Sequence, residues 1–209
     1  MVVGDIKMDE TTLAIIGTAG RKTDADLLSI DKYNEMYQIA SKLIDYIETN
    51  LKRSITHLVS GGAAYADHLA VQLYLNDKVP NLRLFLPCDF KDGEFVDEYD
   101  MLGRTAETAT FYHKKFSEKI RIDSIKELKS AIDKGAEVIV INGFKNRNTY
   151  VSRAEFLVAM TFGKGRKVKD GGTLDTVEKY LDRIITESLT NHSFHVDLHD
   201  CSIHKHCQI

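Results

Sequence analysis

The sequence predicts an α/β fold with a mostly parallel sheet of about five or more strands and helices on both faces of that sheet. Two observations carry this prediction. Short apolar runs alternate along the chain with longer segments of helical periodicity, and strands joined by crossover helices pair in parallel. The apolar runs are also continuous, without a polar residue at every second position, which is typical of strands that are buried on both faces.

Five segments have the composition of buried strands. They are short, apolar and rich in β-branched residues, and glycine or proline follows several of them. The predicted strands are residues 12–17, 55–59, 82–86, 136–141 and 155–162.

Helical periodicity fills most of the sequence between these strands. In residues 31–52, apolar side chains recur three and four positions apart, and Asp31 stands where a helix cap is expected. The remaining predicted helices span residues 64–76, 105–119, 123–134 and 173–189.

Two segments show no clear period. Residues 142–153 predict a mixed loop or a short helix. Residues 88–104 are acidic and predict a long loop. Long loops in compact domains are often lids or binding loops, so we expect this one to cover a site.

The chain of 209 residues suits one domain followed by a tail. We place the domain at residues 1–190 and the tail at residues 191–209. Five of the eight histidines lie in that tail, together with Cys201 and Cys207. Imidazole and thiolate are zinc ligands, but their spacings here match no zinc motif, so we predict no metal site.

Composition argues against several classes of partner. The formal net charge of −3 disfavours a dedicated nucleic-acid-binding protein, which usually has a basic excess. No apolar run approaches the ~20 residues that cross a bilayer, so no membrane partner is expected. The charged residues near the N-terminus predict no secretory signal. Three cysteines form no disulfide framework, which favours a reducing compartment such as the cytoplasm.

Glycine-rich loops follow three of the predicted strands. They are Gly17-Thr18-Ala19-Gly20-Arg21, Ser60-Gly61-Gly62-Ala63 and Asp170-Gly171-Gly172-Thr173. In open α/β sheets, ligands bind outside the carboxyl ends of the strands. Glycine there lets the backbone approach a ligand closely, and the free N–H groups of a helix start attract an anion. The three loops therefore predict a site for a phosphate-bearing ligand.

These loops match neither of the common nucleotide-binding motifs. Residues 17–22 end in Lys22, whereas the dinucleotide fingerprint Gly-x-Gly-x-x-Gly ends in glycine. No loop has the Gly-x-x-x-x-Gly-Lys-Ser/Thr pattern of nucleoside triphosphatases. An ordinary dehydrogenase or triphosphatase is therefore disfavoured, and no cofactor is predicted.

The loops do resemble those of a known superfamily. Residues 59–70 are similar to the Ser-Gly-Gly-Ala-x-Gly-x-Asp-x-x-Ala motif of the DprA/LOG-like (SLOG) Rossmannoid superfamily, with Tyr65 at the position of the later glycine. Residues 16–21 resemble its Gly-Ser-Arg-type loop, and residues 171–176 resemble its Pro-Gly-Gly-x-Gly-Thr-Ala-Asp loop. Arg147-Asn148 resembles an Arg-Asn pair of the superfamily. The matches run in order through residues 12–180, and we expect Tyr65 to narrow the pocket.

This resemblance implies a Rossmann-like, three-layer nucleotide-binding domain that forms a homodimer or a larger homo-oligomer. Members hydrolyse the N-glycosidic bond of nucleoside monophosphates, sense nucleotide-derived signals or bind single-stranded DNA. The hydrolases carry a glutamate in the Pro-Gly-Gly loop, where Asp175 is the nearest carboxylate here. We therefore expect a sensor or binding module for a phosphorylated nucleoside or nucleotide-derived ligand. An N-glycosidase and a DNA-processing protein are the alternatives.

The expected ligand-binding residues are Gly17, Thr18, Gly20, Arg21, Ser60, Gly61, Gly62, Ala63, Asp67, Arg147, Asn148, Gly171, Gly172 and Thr173. Cleavage of an N-glycosidic bond passes through an oxocarbenium-like sugar, which a nearby carboxylate stabilises. Asp67 and Asp175 are therefore the candidate catalytic residues if the ligand is turned over. Arg21 and Arg147 are the candidates for holding a phosphate, since the guanidinium fork suits that group. His113 is a weaker candidate, as a general acid, and a surface histidine is its simpler interpretation.

Overall fold

Nine strands and seven helices form in residues 10–98 and 104–206, which are the part of the chain that this computed structural model describes. The strands are β1 Thr12–Gly17, β2 His57–Ser60, β3 Asn81–Leu86, β4 Asp89–Lys91, β5 Glu94–Val96, β6 Glu137–Val140, β7 Phe156–Thr161, β8 Ser193–Asp197 and β9 Ser202–Lys205. The helices are α1 Asp24–Leu27, α2 Ile30–Asn50, α3 His68–Leu75, α4 Thr105–Ile120, α5 Ser124–Lys134, α6 Phe144–Val151 and α7 Gly172–Thr186.

The central sheet has seven strands in the order β6-β3-β2-β1-β7-β8-β9. Every neighbouring pair is parallel except β8 and β9. The chain winds outward from β1 through β2, β3 and β6, and then returns to β7 on the other side of β1. Strand order therefore reverses beside β1, and ligands bind at such a reversal in open α/β sheets.

A hydrophobic core fills each face of the sheet. In β1, Leu13 and Ile15 pack with side chains of α2, α3, α4 and α5, whereas Ala14 and Ile16 pack with side chains of α6 and α7. Because both faces of the strand are covered, its sequence is apolar at every position. The predicted three-layer α/β architecture is confirmed. None of the helices in the described ranges is long and apolar enough to cross a membrane.

All five predicted strands form, but the predicted helix at 64–76 begins later, at His68. The reason lies at Tyr65, which has a φ of +59°. A left-handed residue breaks a right-handed helix, so residues 64–67 form a turn before α3. The alanines in this turn have a high helix propensity, and for this reason the sequence predicted a helix where the turn forms.

The predicted acidic loop at 88–104 contains the hairpin of β4 and β5. Asp92 and Gly93 at its turn have φ values of +51° and +87°. Two successive positive φ values are typical of the type I′ turn, for which Asp-Gly is the usual sequence. Strands of three residues are too short to show a period, and so the hairpin was not predicted. Residues 99–103 of the predicted lid lie outside the described residues.

The predicted boundary between a domain at 1–190 and a tail at 191–209 is wrong. β8 pairs in parallel with β7, and β9 pairs with β8, so the sheet continues through Lys205. His195 is completely buried, and its Nε2 lies 2.8 Å from the hydroxyl of Thr161. This segment is rich in polar residues, so its sequence did not indicate a buried strand. The polar side chains can be buried because hydrogen bonds inside the protein satisfy them. Cys207 lies outside the described residues.

Candidate functional site

The three predicted glycine loops line one cleft of about 290 Å³ at the carboxyl edge of the sheet. The loops follow β1, β2 and β7, which are neighbours in the sheet. Most of the predicted ligand-binding residues line this cleft: Gly17, Thr18, Arg21, Gly61, Ala63, Asp67, Arg147, Asn148, Gly171, Gly172 and Thr173. The other predicted residues, Gly20, Ser60, Gly62 and Asp175, are not part of the lining.

Packing and hydrogen bonds fix the first loop. Gly20 has a φ of +70°, and a Cβ on it would lie 2.5 Å from the ring of Tyr65. The hydroxyl of Thr18 accepts a hydrogen bond of 3.1 Å from the amide of Gly20 and donates one of 2.7 Å to Asp24. Gly20 therefore shapes the loop, while Thr18 and Arg21 face the cleft.

Tyr65 does not narrow the cleft, and the expectation that it would is wrong. Its ring packs in the core, with its centre 4.4 Å from that of Phe116, and the residue is 3% exposed. Its φ of +59° lies in the left-handed region that glycine adopts without strain. This conformation explains why a glycine suits the same position in the motif that the segment resembles.

The second loop is folded back by Ser60. Its hydroxyl accepts a hydrogen bond of 3.0 Å from the amide of Gly62 and donates one of 2.8 Å to the carbonyl of Asp67. Gly61 lies directly under Arg147, where a Cβ would come 2.6 Å from the guanidinium carbon. The absence of a side chain at Gly61 thus makes room for Arg147.

Arg147 and Asp67 form a buried charged pair at the base of the cleft. The guanidinium nitrogen lies 3.8 Å from the carboxylate oxygen, and the residues are only 9% and 5% exposed. Burial raises the pKa of Asp67, while Arg147 and the amides of the glycine loops oppose that rise. Burial also lowers the pKa of Arg147, against the attraction of Asp67. Arg147 further donates a hydrogen bond to the carbonyl of Gly61, so backbone and carboxylate together fix its position.

The N-terminus of α7 opens into the same cleft. Its N-cap, Gly171, has a φ of +114°, and no side chain in the described part of the chain caps the helix there. A Cβ on Gly171 would meet no atom within 4 Å, so the space above it is open. Thr173 ties this end to the first loop by donating a hydrogen bond of 2.9 Å to the carbonyl of Gly17.

Asp175 is held away from the cleft. Its carboxylate accepts hydrogen bonds of 2.9 Å from Asn148 and of 2.9 Å from Lys179. Partial burial would raise the pKa of Asp175, but these two bonds hold it below its usual value. The carboxylate therefore orients Asn148, which lines the cleft, and has no direct access to a ligand there.

The cleft carries both signs of charge. Its charged lining residues are Arg21, Lys22, Arg147, Lys169, Asp24, Asp67 and Asp170. Arg147 is paired with Asp67, and Lys169 with Asp24. Arg21 is exposed and forms no ion pair within the described ranges. Its guanidinium carbon lies 5.0 Å from the ring centre of Tyr112 and 5.7 Å from that of Phe144.

Comparison with known proteins places this architecture in a family. No family model matches the chain. A protein of Acanthamoeba polyphaga mimivirus, described as "Uncharacterized protein R261", is 37% identical over 176 residues, which cover 82% of this chain and 92% of the viral protein. The chain belongs to the family of this mimivirus protein. The viral protein's description states no activity, so the site has to be interpreted from its own chemistry.

Two features of the cleft in this family member were not predicted from its sequence. Asp24 is 6% exposed and pairs with Lys169 across the cleft, linking the first loop to the loop before α7. Asp24 opens a four-residue helix, α1, inside a segment without periodicity, so no pattern marked it. The second feature is the pair of aromatic rings beside Arg21: Phe144, the first residue of α6, lines the cleft, and Tyr112 lies within α4. Nothing in the sequence of either helix indicated a binding role.

His113 is a buried residue that holds the second loop in place. The sequence suggested a general acid or a surface histidine, and neither prediction is correct. The residue is 1% exposed. Its Nε2 lies 3.0 Å from the carbonyl of Gly62, and its Nδ1 lies 3.0 Å from the hydroxyl of Ser124. Because a carbonyl only accepts, Nε2 carries the proton. Burial, assisted by the nearby His68, lowers the pKa of His113 to about 3, so it stays neutral.

Proposed function

We propose that the cleft binds a phosphorylated nucleoside or a nucleotide-derived ligand, and that the protein is a sensor or binding module for it. One observation carries this proposal: loops that follow β1, β2 and β7 line a single cleft where the strand order reverses. That position is the usual ligand site of open α/β sheets. The volume of about 290 Å³ lies at the lower end of the range for small-molecule pockets.

The start of α7 is the best-supported position for the phosphate. Its first amides and its dipole favour an anion, and Gly171 leaves the approach open. Within the described residues neither Arg21 nor Lys22 has a carboxylate partner, and Arg21 is the better suited of the two to join the phosphate because its guanidinium fork fits that group. Arg147 is already paired with Asp67, so it contributes a fixed positive charge without moving.

Membership of the DprA/LOG-like superfamily belongs to the same proposal. Two observations support it. Tyr65, at a glycine position of the motif, has a left-handed backbone, and Asp67, at the aspartate position of the motif, is buried. A homo-oligomer is expected with that membership, and its mass in solution is a direct check.

An N-glycosidase acting on nucleoside monophosphates is the second candidate function, and Asp67 is the observation that favours it. The carboxylate lines the cleft, is buried, and has a raised pKa because of that burial. A carboxyl group in this setting suits acid–base chemistry beside a sugar ring. Asp175 lies outside the lining, so Asp67 alone remains from the two predicted catalytic residues.

A thermal-shift screen tests both candidates. We would compare nucleoside mono-, di- and triphosphates, cyclic nucleotides and ADP-ribose derivatives with the matched unphosphorylated nucleosides, and analyse each mixture for released base. A ligand at a hundred times its Kd adds ~2.7 kcal/mol of stability. We expect a shift with at least one phosphorylated compound and none with its nucleoside. Released base would make the protein a glycosidase. No shift with any phosphorylated compound would contradict both candidates.

A further inference from the structure

A small recess opens beside the cleft and shares a wall with it. Arg21, Phe144 and Arg147 line both spaces. The recess is otherwise mostly small and apolar: Ala19 and Ala63, which also border the cleft, and Ala64, Ala109 and Pro87, with Tyr112 at one side. Its free volume is about 20 Å³, which holds roughly one water molecule.

The guanidinium of Arg21 lies over the aromatic rings at this recess. It is 5.0 Å from the centre of Tyr112 and 5.7 Å from the centre of Phe144. The second guanidinium of the site, that of Arg147, is 5.5 Å from the same phenylalanine ring. These two cations repel each other, which adds to the larger effect of burial in lowering the pKa of Arg147. Arg21 therefore lies on aromatic faces in a position where the positive charge of Arg147 repels it.

A guanidinium and a nucleobase are both flat groups that stack on an aromatic face, the guanidinium as a cation and the base through its π-surface. The apolar walls of the recess suit the faces of a nucleobase, which are largely apolar, but they provide no hydrogen-bond donors for a phosphate. Thr108 also lines the recess and is the residue there whose hydroxyl could serve a polar edge of the base. His113 supplies no charge here, because burial, assisted by the nearby His68, lowers its pKa to about 3.

We propose that this recess is the nucleobase subsite, in which the base stacks on Tyr112 after displacing Arg21. This inference rests on the proposed function, since it assumes that the cleft holds the phosphate and the sugar. Arg21 lines both spaces, so a short rotation of its side chain takes it from the rings to the phosphate. The exchange enlarges the recess, and the negative charge of the bound anion offsets the repulsion between the two arginines.

Calorimetric titration with two kinds of probe tests the subsite. The four common ribonucleoside 5′-monophosphates carry a base, and ribose 5-phosphate does not. In the unchanged protein, we expect at least one monophosphate to bind more tightly than ribose 5-phosphate. Tyr112→Ala should weaken that monophosphate by roughly five- to a hundredfold, the range for loss of one base–aromatic stack, and leave ribose 5-phosphate unchanged. Tyr112→Phe, which keeps the ring, should bind both as before.

Tyr112→Leu repeats the test with the apolar volume kept, in case the alanine variant does not fold. Arg21→Ala adds an independent measurement: the monophosphate should bind more weakly, while its nucleoside should bind at least as well as to the unchanged protein. The proposal is overturned if no monophosphate exceeds ribose 5-phosphate, or if the advantage survives without the ring. If neither probe binds the unchanged protein and the thermal-shift panel of phosphorylated compounds also gives no shift, the proposed function is overturned instead.

Discussion

The guanidinium of Arg147 lies 3.8 Å from the carboxylate of Asp67, and neither side chain is appreciably exposed. This pair joins α6 to the turn before α3 and sits directly on Gly61, the centre of the second glycine loop. Each partner offsets part of the cost of burying the other. The electrostatics of the cleft and the stability of the fold therefore depend on the same two residues.

Removing the carboxylate of this pair should destabilise the protein strongly. Asp67→Asn leaves the Arg147 charge buried without its partner, which typically costs about 3–5 kcal/mol. Adding Arg147→Met removes the orphaned charge, so we expect the double variant to lose less than the sum of the two single changes. Urea unfolding measures all three. The control is Asp175→Asn, which breaks the half-exposed pair with Lys179 and should cost at most about 1 kcal/mol. Additive losses would show that the pair is not coupled.

Adding one methyl group at Gly61 should abolish ligand binding while the fold survives. The backbone there is not left-handed, so alanine introduces no strain of its own, but its Cβ would lie 2.6 Å from the guanidinium carbon of Arg147. Arg147 has to shift, and the base of the cleft shifts with it. The control for binding is Gly93→Ala in the distant hairpin turn, where the nearest atom is 3.8 Å away; its φ of +87° strains an alanine, so we expect lower stability there with unchanged binding. Thermal shift with the nucleotide panel provides the measurement. A folded Gly61→Ala protein of normal affinity would contradict the assignment of this loop.

The sequence predicted the central strands well because a strand that is buried on both faces is apolar at every position, which a short stretch of sequence is enough to show. Continuous apolar runs such as residues 12–17 and 155–162 have few alternatives to a central strand. The glycine loops were predictable for a similar reason: a turn between a parallel strand and its helix falls at the carboxyl edge, so the loops had to converge.

What the sequence did not reveal depends on contacts between distant residues. Ser193–Asp197 contains a serine, a histidine and an aspartate, yet all of its residues are buried. The partners of these three side chains are Asn191, Thr161 at the end of β7 and Gly165 in the loop that follows. Asp175 looked like a catalytic carboxylate until Asn148 and Lys179 were seen to hold it. Asp24 became a site residue only through Lys169, which is far away in sequence. Contacts between such distant residues leave no periodic pattern in the sequence, and they cannot be predicted from its composition.

Acid should destabilise the protein partly through His113. Burial lowers its pKa from 6.5 to about 3, so the unfolded chain binds a proton that the folded protein excludes. The free energy of unfolding should fall by up to ~1.4 kcal/mol for each pH unit from about 6.5 down towards 3. His113→Gln keeps a donor for the carbonyl of Gly62 but does not titrate, so its stability should fall less steeply. His206, with a pKa lowered by burial to about 4, accounts for part of the remaining slope. Equal slopes in the two proteins would contradict this role of His113.

Thr161→Val should loosen the loop at residues 163–169, whose last residue, Lys169, lines the cleft. The Thr161 hydroxyl accepts hydrogen bonds of 3.1 Å from the amides of Gly163 and Lys169, and it also contacts His195. Valine keeps the shape but leaves these buried groups unpaired, at about 1–3 kcal/mol for each. We expect lower stability and faster amide exchange in residues 163–169. Thr149→Val, at an exposed site on α6, serves as the control. Unchanged exchange in the loop would show that Thr161 does not hold it.

The central claim is that the glycine-lined cleft binds the phosphate of a nucleotide, and backbone amide resonances of ¹⁵N-labelled protein test it most directly. The protein would be titrated with each of the four ribonucleoside 5′-monophosphates and, as the phosphate-free control, with the matching nucleosides. We predict that at least one monophosphate shifts the amides of Gly61, Gly171 and Gly172 in a saturable manner, and that its nucleoside leaves Gly171 and Gly172 unmoved. If these three amides respond neither to a monophosphate nor to any other phosphorylated compound of the thermal-shift panel, or if the shifts fall only on distant residues such as those of β4 and β5, the cleft is not a nucleotide site.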